Sequence, residues 1–179
     1  MTLFLFIDAE KAKHEPGRGK GIGPSGEIKD STPTARGDPK RRVLFVCLGG
    51  TDRSAAAVGW MKRLSPVTTV DSRSISGHFS GATCVSEPTA RLARANGMDL
   101  SNHRASKKLS LSDLKENDLI VVMDKTDMRD VQALDPTKET EMKTKLLLDY
   151  DRNADVKEVS DPYIENNHEE AFKLIERGV

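Results

Sequence analysis

A cysteine, an arginine and a serine follow a short apolar run, Val43–Val46, in a compact group. Five residues separate Cys47 from Arg53, and Ser54 comes directly after it. An ionised cysteine is a nucleophile, and the planar guanidinium of arginine can bind a phosphate through two parallel hydrogen bonds. A serine hydroxyl beside the sulfur can donate to the thiolate. This group predicts attack of Cys47 on a phosphoryl group, with a covalent intermediate on sulfur.

The segments on either side would place this group where an anion binds. The apolar run is typical of a strand buried on both faces of a parallel sheet, and the alanine-rich Ser54–Leu64 predicts a helix. Backbone N–H groups and the helix dipole at such a junction favour a thiolate and a bound dianion. Gly49 and Gly50 permit positive φ and a close approach of the backbone to a ligand. The predicted phosphate-binding loop comprises Leu48, Gly49, Gly50, Thr51, Asp52 and Arg53. A buried structural role for Cys47 stays open as the alternative.

A reaction through phosphocysteine also needs an acid to protonate the leaving alcohol. One loop carboxylate stands out, Asp161, which is followed by Pro162 and Tyr163. The proline would stiffen the loop, and the tyrosine could form a wall of the site. From local sequence, an ordinary Asp-Pro turn is the competing interpretation.

Predicted strands and helices alternate along the rest of the chain. Strands are expected at Val67–Val70, Leu119–Met123 and Lys145–Leu148, helices at Ser86–Ala95, Leu111–Glu116, Thr126–Leu134 and His168–Arg177, and loops at Ser72–Thr83 and Asp161–Tyr163. This alternation is typical of a parallel α/β sheet. We therefore predict a single α/β domain with a central parallel four-stranded sheet flanked by helices. The phosphate-binding loop would join the first strand to the first helix.

The N-terminal region has a different composition. Residues 8–40 contain four of the eight prolines and six of the thirteen glycines, with almost no apolar periodicity. Such a segment cannot bury enough apolar surface to offset its ordering entropy. We expect residues 1–40 to be a disordered extension and residues 41–179 to form the domain. A transit or docking role is the alternative to a solvated extension, although six acidic residues are unusual for a transit peptide.

Overall composition limits the partners that the chain is expected to have. Lys+Arg and Asp+Glu number 28 each, so net charge predicts neither a nucleic-acid nor a membrane partner. No apolar run approaches the roughly 18–20 residues that span a bilayer. Two cysteines do not make a disulfide framework, which favours a reducing compartment. We expect a cytoplasmic protein, with organelle targeting by the extension left open.

These features together resemble the low-molecular-weight protein tyrosine phosphatases. In that family a valine-rich strand leads to Cys-x5-Arg-Ser, and Asp-Pro-Tyr lies near the C-terminus. The chain also carries family-like stretches in the same order: Val70–Ser72, Ser76–Gly77, Asn96–Ser101, Leu119–Asp124 and Arg129–Asp130. The resemblance covers residues 41–179, and the separation of the two motifs is similar to that in the family.

The resemblance implies a role for each residue of the two motifs. Cys47 would be the nucleophile, Arg53 would bind the phosphoryl oxygens, and Ser54 would assist the thiolate. Asp161 would act first as general acid and then as the base that activates water. The implied reaction is hydrolysis of a phosphomonoester without a metal or cofactor.

The resemblance also implies an aromatic substrate pocket. Its wall after the second strand would be His78 or Phe79, because an apparent one-residue insertion shifts the register there. Tyr163 matches the aromatic residue after Asp-Pro. The expected substrate is a phosphotyrosine protein or a small phosphomonoester, and we expect a monomer or a weak dimer.

Several positions depart from the family pattern. Gly50 replaces a usual asparagine, Asp52 replaces a frequent second cysteine, and Ala55 replaces a proline. Ile164 replaces a second aromatic residue, and the final helix is shorter than the family's. If Asp52 faced the site, it would raise the pKa of the thiol and weaken phosphate binding. These changes predict reduced activity and keep a second hypothesis open, a weakly active or inactive module that binds phosphate or a phosphoprotein.

Three smaller features have competing interpretations. Cys84 is either a resolving cysteine or an ordinary loop residue. Arsenate reductases of this fold need two further cysteines late in the chain. None follows Cys84, which argues against arsenate reduction.

A basic cluster formed by His103–Arg104 and Lys107–Lys108 either attracts acidic phosphopeptides or is a solvated surface.

Overall fold

A four-stranded parallel sheet with strand order β2-β1-β3-β4 lies at the centre of the fold. The computed structural model describes residues 2–7, 41–65, 68–79, 85–103 and 107–179. The strands are β1 Arg42–Cys47, β2 Thr69–Ser74, β3 Leu119–Val122 and β4 Thr144–Leu146. The helices are α1 (residues 3–7), α2 Arg53–Leu64, α3 Glu87–Ala95, α4 Leu111–Glu116, α5 Lys125–Leu134, α6 Lys138–Lys143, α7 Pro162–Glu165 and α8 His168–Gly178, with a 3-10 turn at Leu147–Tyr150. The predicted fold class, a single α/β domain with a parallel four-stranded sheet flanked by helices, is confirmed.

None of these described helices is long and apolar enough to cross a membrane.

Strand β1 is apolar because both of its faces are covered. Val43 and Phe45 belong to one buried cluster with residues of α2 and α8, whereas Leu44 and Val46 belong to a second cluster with residues of α4 and α5. All four side chains are fully buried. Each such burial contributes about 1.5–3 kcal/mol, which fixes the strand and the position of the cysteine at its end.

The strand order reverses between β1 and β3. In an open parallel sheet such a reversal leaves a crevice at the carboxyl ends of the strands, where ligands bind. Cys47 is the last residue of β1, and Asp124 lies two residues beyond the end of β3. The topology therefore places these two side chains at the same crevice.

Strand β2 differs from its predicted position. It runs to Ser74, although Ser72 and the residues after it were predicted to form a loop. The strand is polar because it lies at the edge of the sheet, where Arg73 pairs with Asp71 and Asp113. A single apolar residue, Val70, is too weak a signal for such a strand.

Elements in the C-terminal half also depart from the predicted boundaries. The fourth strand, predicted at Lys145–Leu148, begins and ends earlier, and helices α6 and α7 were missed. Asp161 caps α7 by accepting from the Tyr163 amide (3.0 Å), and Pro162 occupies the first turn, a position that tolerates proline. The predicted loop at Asp161–Tyr163 is therefore a helix start.

Helix α1 packs on the domain. Leu3 is fully buried and Ile7 is 4% exposed, both within the larger apolar cluster. The Phe4 amide donates to the Val179 carbonyl (2.6 Å), and the Phe6 ring lies 5.3 Å from the Tyr150 ring. Within the stretch 1–40, which the sequence predicts to be a disordered extension, residues 3–7 thus form a helix that contacts the domain. Residues 8–40 lie outside the described residues.

Truncating Leu3 should test this contact. We expect Leu3→Ala to lower the free energy of unfolding by about 2–3 kcal/mol, because it leaves a cavity in the core. Leu5, on the same helix but 52% exposed, is the matched control, and Leu5→Ala should cost less than about 0.5 kcal/mol. Urea unfolding of both variants measures the difference. Equal stabilities would show that α1 does not contribute to the core.

Candidate active site

The loop between β1 and α2 brings its backbone to the sulfur of Cys47. The Gly50 amide donates to Cys47 Sγ (3.3 Å), and the Cys47 thiol donates to Ser54 Oγ (3.2 Å). Gly50 has φ 72°, a left-handed conformation that disfavours most side chains. The loop therefore curls around the sulfur, and the glycine at this position meets a backbone requirement.

The first carbonyl groups of this loop are held by the segment after β2. The Cys47 carbonyl accepts from the Ile75 amide (3.1 Å), and the Leu48 carbonyl accepts from the amide (3.1 Å) and the hydroxyl (3.0 Å) of Ser76. Because these oxygens are bonded to a neighbouring segment, they are not directed at an anion above the sulfur.

Asp52 faces away from the sulfur. Its Oδ1 accepts from Thr89 Oγ1 (2.6 Å) and from Ser86 Oγ, and its Oδ2 accepts from Thr51 Oγ1 (2.9 Å). Ser86 and Thr89 lie at the start of α3, so the carboxylate ties the loop to that helix. The condition under which Asp52 would weaken phosphate binding, a carboxylate facing the site, is not met.

Arg53 is a buried cation surrounded by acceptors. Its Nη1 donates to Asp124 Oδ2 (2.6 Å) and to the Val159 carbonyl (2.9 Å), and its Nη2 donates to Asp161 Oδ2 (3.2 Å). A third carboxylate oxygen, Asp127 Oδ2, lies 3.6 Å from Nη1. Only 3% of the Arg53 side chain is exposed. The guanidinium thus joins α2, the β3–α5 junction and the segment before α7.

The charges in this cluster act on each other's protonation. Burial alone lowers the pKa of Arg53, but Cys47 and Asp127 raise it, and its pKa lies above the ordinary value. Burial raises the pKa of the Cys47 thiol, Arg53 lowers it, Asp127 raises it, and the hydrogen bond with Ser54 lowers it. The net direction for Cys47 is upward in the substrate-free site.

Tyr163 stands at the mouth of the site and is 63% exposed. Burial raises the pKa of its hydroxyl, the charges of Asp52 and Asp161 raise it further, and a hydrogen bond with Ser86 lowers it. The tyrosine therefore lies between Asp161 and the start of α3. Ile164 beside it is 80% exposed.

Of the aromatic residues after β2, Phe79 lies beside the loop between β1 and α2. The nearest atoms of the Phe79 ring would lie 3.8 Å from a Cβ built on Gly49, so the ring borders the loop. His78 is exposed and packs edge-on against Phe79, with 5.3 Å between the ring centroids. Of the two pocket candidates, the structure places Phe79 against the loop.

Three partners of Arg53 were not found from the sequence: Asp124, Asp127 and the carbonyl of Val159. An acidic residue directly after a buried strand was an available signal for Asp124, because strand ends meet at one edge of the sheet. No local signal identifies a carbonyl. Cys84 and Arg104 lie outside the described residues, and within those described no group of His, Cys, Asp and Glu side chains is arranged to hold a metal ion.

Removal of the Asp52 side chain should distinguish the two orientations. Asp52→Ala leaves three hydroxyl groups without their acceptor, so we expect the free energy of unfolding to fall by about 1–3 kcal/mol. Vanadate inhibition should weaken severalfold, because the loop loses its tie to α3. Thr89→Val should produce a smaller change in the same direction. Tighter vanadate inhibition in Asp52→Ala would instead indicate a carboxylate that repels the anion.

Comparisons with known proteins agree with this geometry. Residues 42–179 match the sequence model of the family described as low molecular weight phosphotyrosine protein phosphatase. The chain is 33% identical over 142 residues to the low molecular weight protein-tyrosine-phosphatase YfkJ of Bacillus subtilis, covering 76% of this chain and 89% of that protein. It is 30% identical over 139 residues to Wzb of Salmonella typhi, covering 76% and 88%.

Solved structures give the same result. The crystal structure of Bacillus subtilis YfkJ aligns with a TM-score of 0.74 and 32% identity, covering 80% of this chain and 91% of that one. Vibrio vulnificus Wzb, in complex with benzylphosphonate, aligns with a TM-score of 0.67 and 27% identity, covering 78% and 94%. Sequence, fold and the arrangement around Cys47 thus lead to one conclusion, that the chain belongs to the low molecular weight phosphotyrosine protein phosphatase family.

Proposed function

We propose that this protein hydrolyses phosphotyrosine and related aryl phosphomonoesters through a phosphocysteine intermediate on Cys47. The observation that carries the proposal is the contact between Arg53 and Asp161, 3.2 Å apart although 108 residues separate them in sequence. This contact supports Asp161 as the acid, because its carboxyl group is bonded to the arginine that follows the loop around Cys47. Family membership supports the same reaction.

In the first step the Cys47 thiolate attacks phosphorus and the phosphorus–oxygen bond to the leaving group breaks. Loop amides, including that of Gly50, and the guanidinium of Arg53 hold the phosphoryl oxygens and stabilise the charge that develops on them. Asp161, in its protonated form, gives its proton to the leaving oxygen. Arg53 Nη2 exchanges its contact with Asp161 for a phosphoryl oxygen during this step.

In the second step a water molecule attacks the phosphocysteine. Asp161, now ionised, takes a proton from this water, and the sulfur–phosphorus bond breaks to release inorganic phosphate. Ser54 Oγ lies 3.2 Å from the sulfur, so its hydroxyl can donate to the thiolate as it departs. This donation makes Cys47 a better leaving group.

The preference for an aryl substrate rests on the mouth of the site. Phe79 borders the loop, and Tyr163 stands beside Asp161. Two aromatic side chains near the loop and the candidate acid can contact the ring of a phenyl phosphate. The complex of Vibrio vulnificus Wzb with benzylphosphonate, an aromatic phosphonate, supports this substrate class. Ile164, at the position of a second aromatic residue, adds apolar contact without ring stacking.

The cellular setting is part of the same proposal. A nucleophilic thiol requires a reducing compartment to stay unoxidised, which supports a cytoplasmic location. We propose further that the protein is a monomer or a weak dimer. Its proposed substrates are phosphotyrosine proteins or small phosphomonoesters.

The alternative of a non-catalytic binding module rests on the short final helix and on two departures in the loop, Gly50 and Asp52. Gly50 adopts a φ of 72° that suits glycine, and the oxygens of Asp52 are bonded to hydroxyl groups away from the sulfur. Neither departure from the family pattern removes a group that the reaction uses. Turnover by the purified protein decides between catalysis and binding alone.

Hydrolysis of para-nitrophenyl phosphate tests the mechanism. We expect Cys47→Ser to lose more than about 1,000-fold in kcat, since the nucleophile is gone. Asp161→Asn should lose about 100- to 10,000-fold, the usual contribution of a general acid. Ser54→Ala should slow release of phosphate and accumulate phosphocysteine, seen as a burst of nitrophenol. Hydrolysis of para-nitrophenyl phosphate that persists in Cys47→Ser would contradict the proposed mechanism.

Substitutions at the mouth test the aryl preference. Phe79→Ala and Tyr163→Ala should raise KM for para-nitrophenyl phosphate roughly three- to tenfold, because each removes one aromatic contact with the substrate ring. Ile164→Ala is the control, at a neighbour that is 80% exposed against 63% for Tyr163, and it should change KM less than twofold. Steady-state kinetics with an alkyl phosphate should show no comparable loss. Equal effects on both substrates would contradict ring recognition.

A further inference from the structure

Asp127 is a buried carboxylate that the proposed reaction does not use. It lies in the first turn of α5, where its amide donates to the capping oxygen Asp124 Oδ1 (2.7 Å). The cap fixes the backbone so that the side chain enters the crevice, with Oδ2 3.6 Å from Arg53 Nη1. Only 2% of the Asp127 side chain is exposed, and Oδ2 has no hydrogen-bond partner among the described residues.

Arg53 therefore faces more negative charge than it carries. Asp124 and Asp161 approach it more closely than Asp127, but 19% and 20% of their side chains are exposed, so water screens part of their charge. Asp127 has no such exposure. Its charge acts on Arg53 and on Cys47 through a medium of low dielectric constant, where an interaction between charges is strong.

We propose that Asp127 is a positioning residue that acts through Arg53, setting how much positive charge the loop offers to the Cys47 thiolate and to a phosphate dianion. This proposal rests on the proposed function. When Asp127 is ionised, it offsets the charge of Arg53 and disfavours a second anion in the crevice. When Asp127 is protonated, the charge of Arg53 is available to the phosphoryl group.

The protonation of Asp127 changes in the neutral range. The pKa of Asp127 is raised to about 7, chiefly by burial and also by the charges of Asp124 and Asp130. The charge of Arg53 and a backbone hydrogen bond with Met123 oppose this shift. The charged groups around it are Arg53 of α2, Cys47 of β1, Asp124 before α5, Asp130 within α5 and, through Arg53, Asp161 before α7. A bound dianion adds negative charge, so anion binding and proton uptake by Asp127 should be coupled.

Binding of tungstate at micromolar concentration, where it stays a monomeric dianion from pH 6 upward, tests this coupling without requiring turnover. Cys47→Ser is the parent, so that the thiol does not titrate and catalysis is not involved. We expect its Kd for tungstate to rise roughly tenfold between pH 6 and pH 8.5, the effect of an interaction of about one pKa unit. Adding Asp127→Asn should keep the Kd within twofold over this range, at the tight value found at pH 6.

Asp130→Asn in the same parent is the matched control. It removes one carboxylate from the same helix, one turn further along. The tungstate Kd should still rise roughly tenfold, with the rise at a slightly lower pH because Asp130 raises the pKa of Asp127. Asp127→Ser, a second neutral variant, should behave like Asp127→Asn. A Kd that rises with pH equally in all four proteins, or a parent that shows no rise, would overturn the proposal. Turnover of para-nitrophenyl phosphate by the wild type reports separately on the proposed function.

A second measurement addresses the thiol itself. In the protein that retains Cys47, the pH dependence of alkylation by iodoacetamide reports the apparent thiolate pKa. We expect Asp127→Asn to lower this pKa by about one unit, a tenfold increase in thiolate at neutral pH, and Asp130→Asn to leave it unchanged. A purely structural role for Asp127 would lower stability without shifting this titration, which would overturn the proposal.

The effect of Asp127→Asn on thermal stability should depend on pH. A carboxyl group whose pKa is higher in the folded than in the unfolded chain stabilises the fold at low pH, and this contribution is lost as pH rises through about 7. Asp127→Asn should therefore melt at a higher temperature than the wild type at pH 8.5, with a smaller difference at pH 5. The reverse order would mean that the ionised Asp127 is required for folding, and would overturn its assigned role.

Discussion

The fold depends on how the buried charge of Arg53 is matched. Moving a guanidinium out of water costs several kcal/mol unless acceptors replace the water. Here the acceptors come from separate parts of the chain: Asp124 after β3, and the Val159 carbonyl and Asp161 before α7. The Val159 amide in turn donates to the Met123 carbonyl (2.8 Å), which pins that segment to the end of β3. One arginine thus fixes the position of the candidate acid relative to the candidate nucleophile.

The sequence predicts the fold best where both faces of an element are buried. Strands β1 and β3 have continuous apolar runs because helices cover both sides of the sheet, and their predicted positions agree within a residue or two. Strand β2 lies at the edge of the sheet and is polar at every position except Val70, so its sequence resembles that of a loop. Helix α1 is too short to show a helical period. Its burial follows from contacts with Tyr150 and Val179, far along the chain.

The candidate site was predictable in its residue types and less so in its side-chain directions. Cys47, Arg53 and Asp161 stand out because their chemistry and their surroundings in sequence are distinctive, and the structure brings them together. The direction of Asp52 depends on two hydroxyl groups of α3 that no local pattern connects to it. The neighbours of Asp127 are likewise set by the packing of α5 beneath the loop, which becomes visible only with the fold.

The acids around Arg53 have two opposed effects. In the free protein Asp124 and Asp161 compensate a buried cation, whereas burial of Asp127 costs its ionised form more than the contact with Arg53 returns. In the substrate complex the same acids compete with the phosphoryl group for that cation, so a site that holds Arg53 too well would bind a dianion poorly. Asp124 and Asp161 are partly exposed, so water can hydrate their carboxylates when the phosphoryl group takes their place at Arg53. For Asp127, which is buried, protonation is the only comparable relief, and this couples the stability of the site to its affinity for anions.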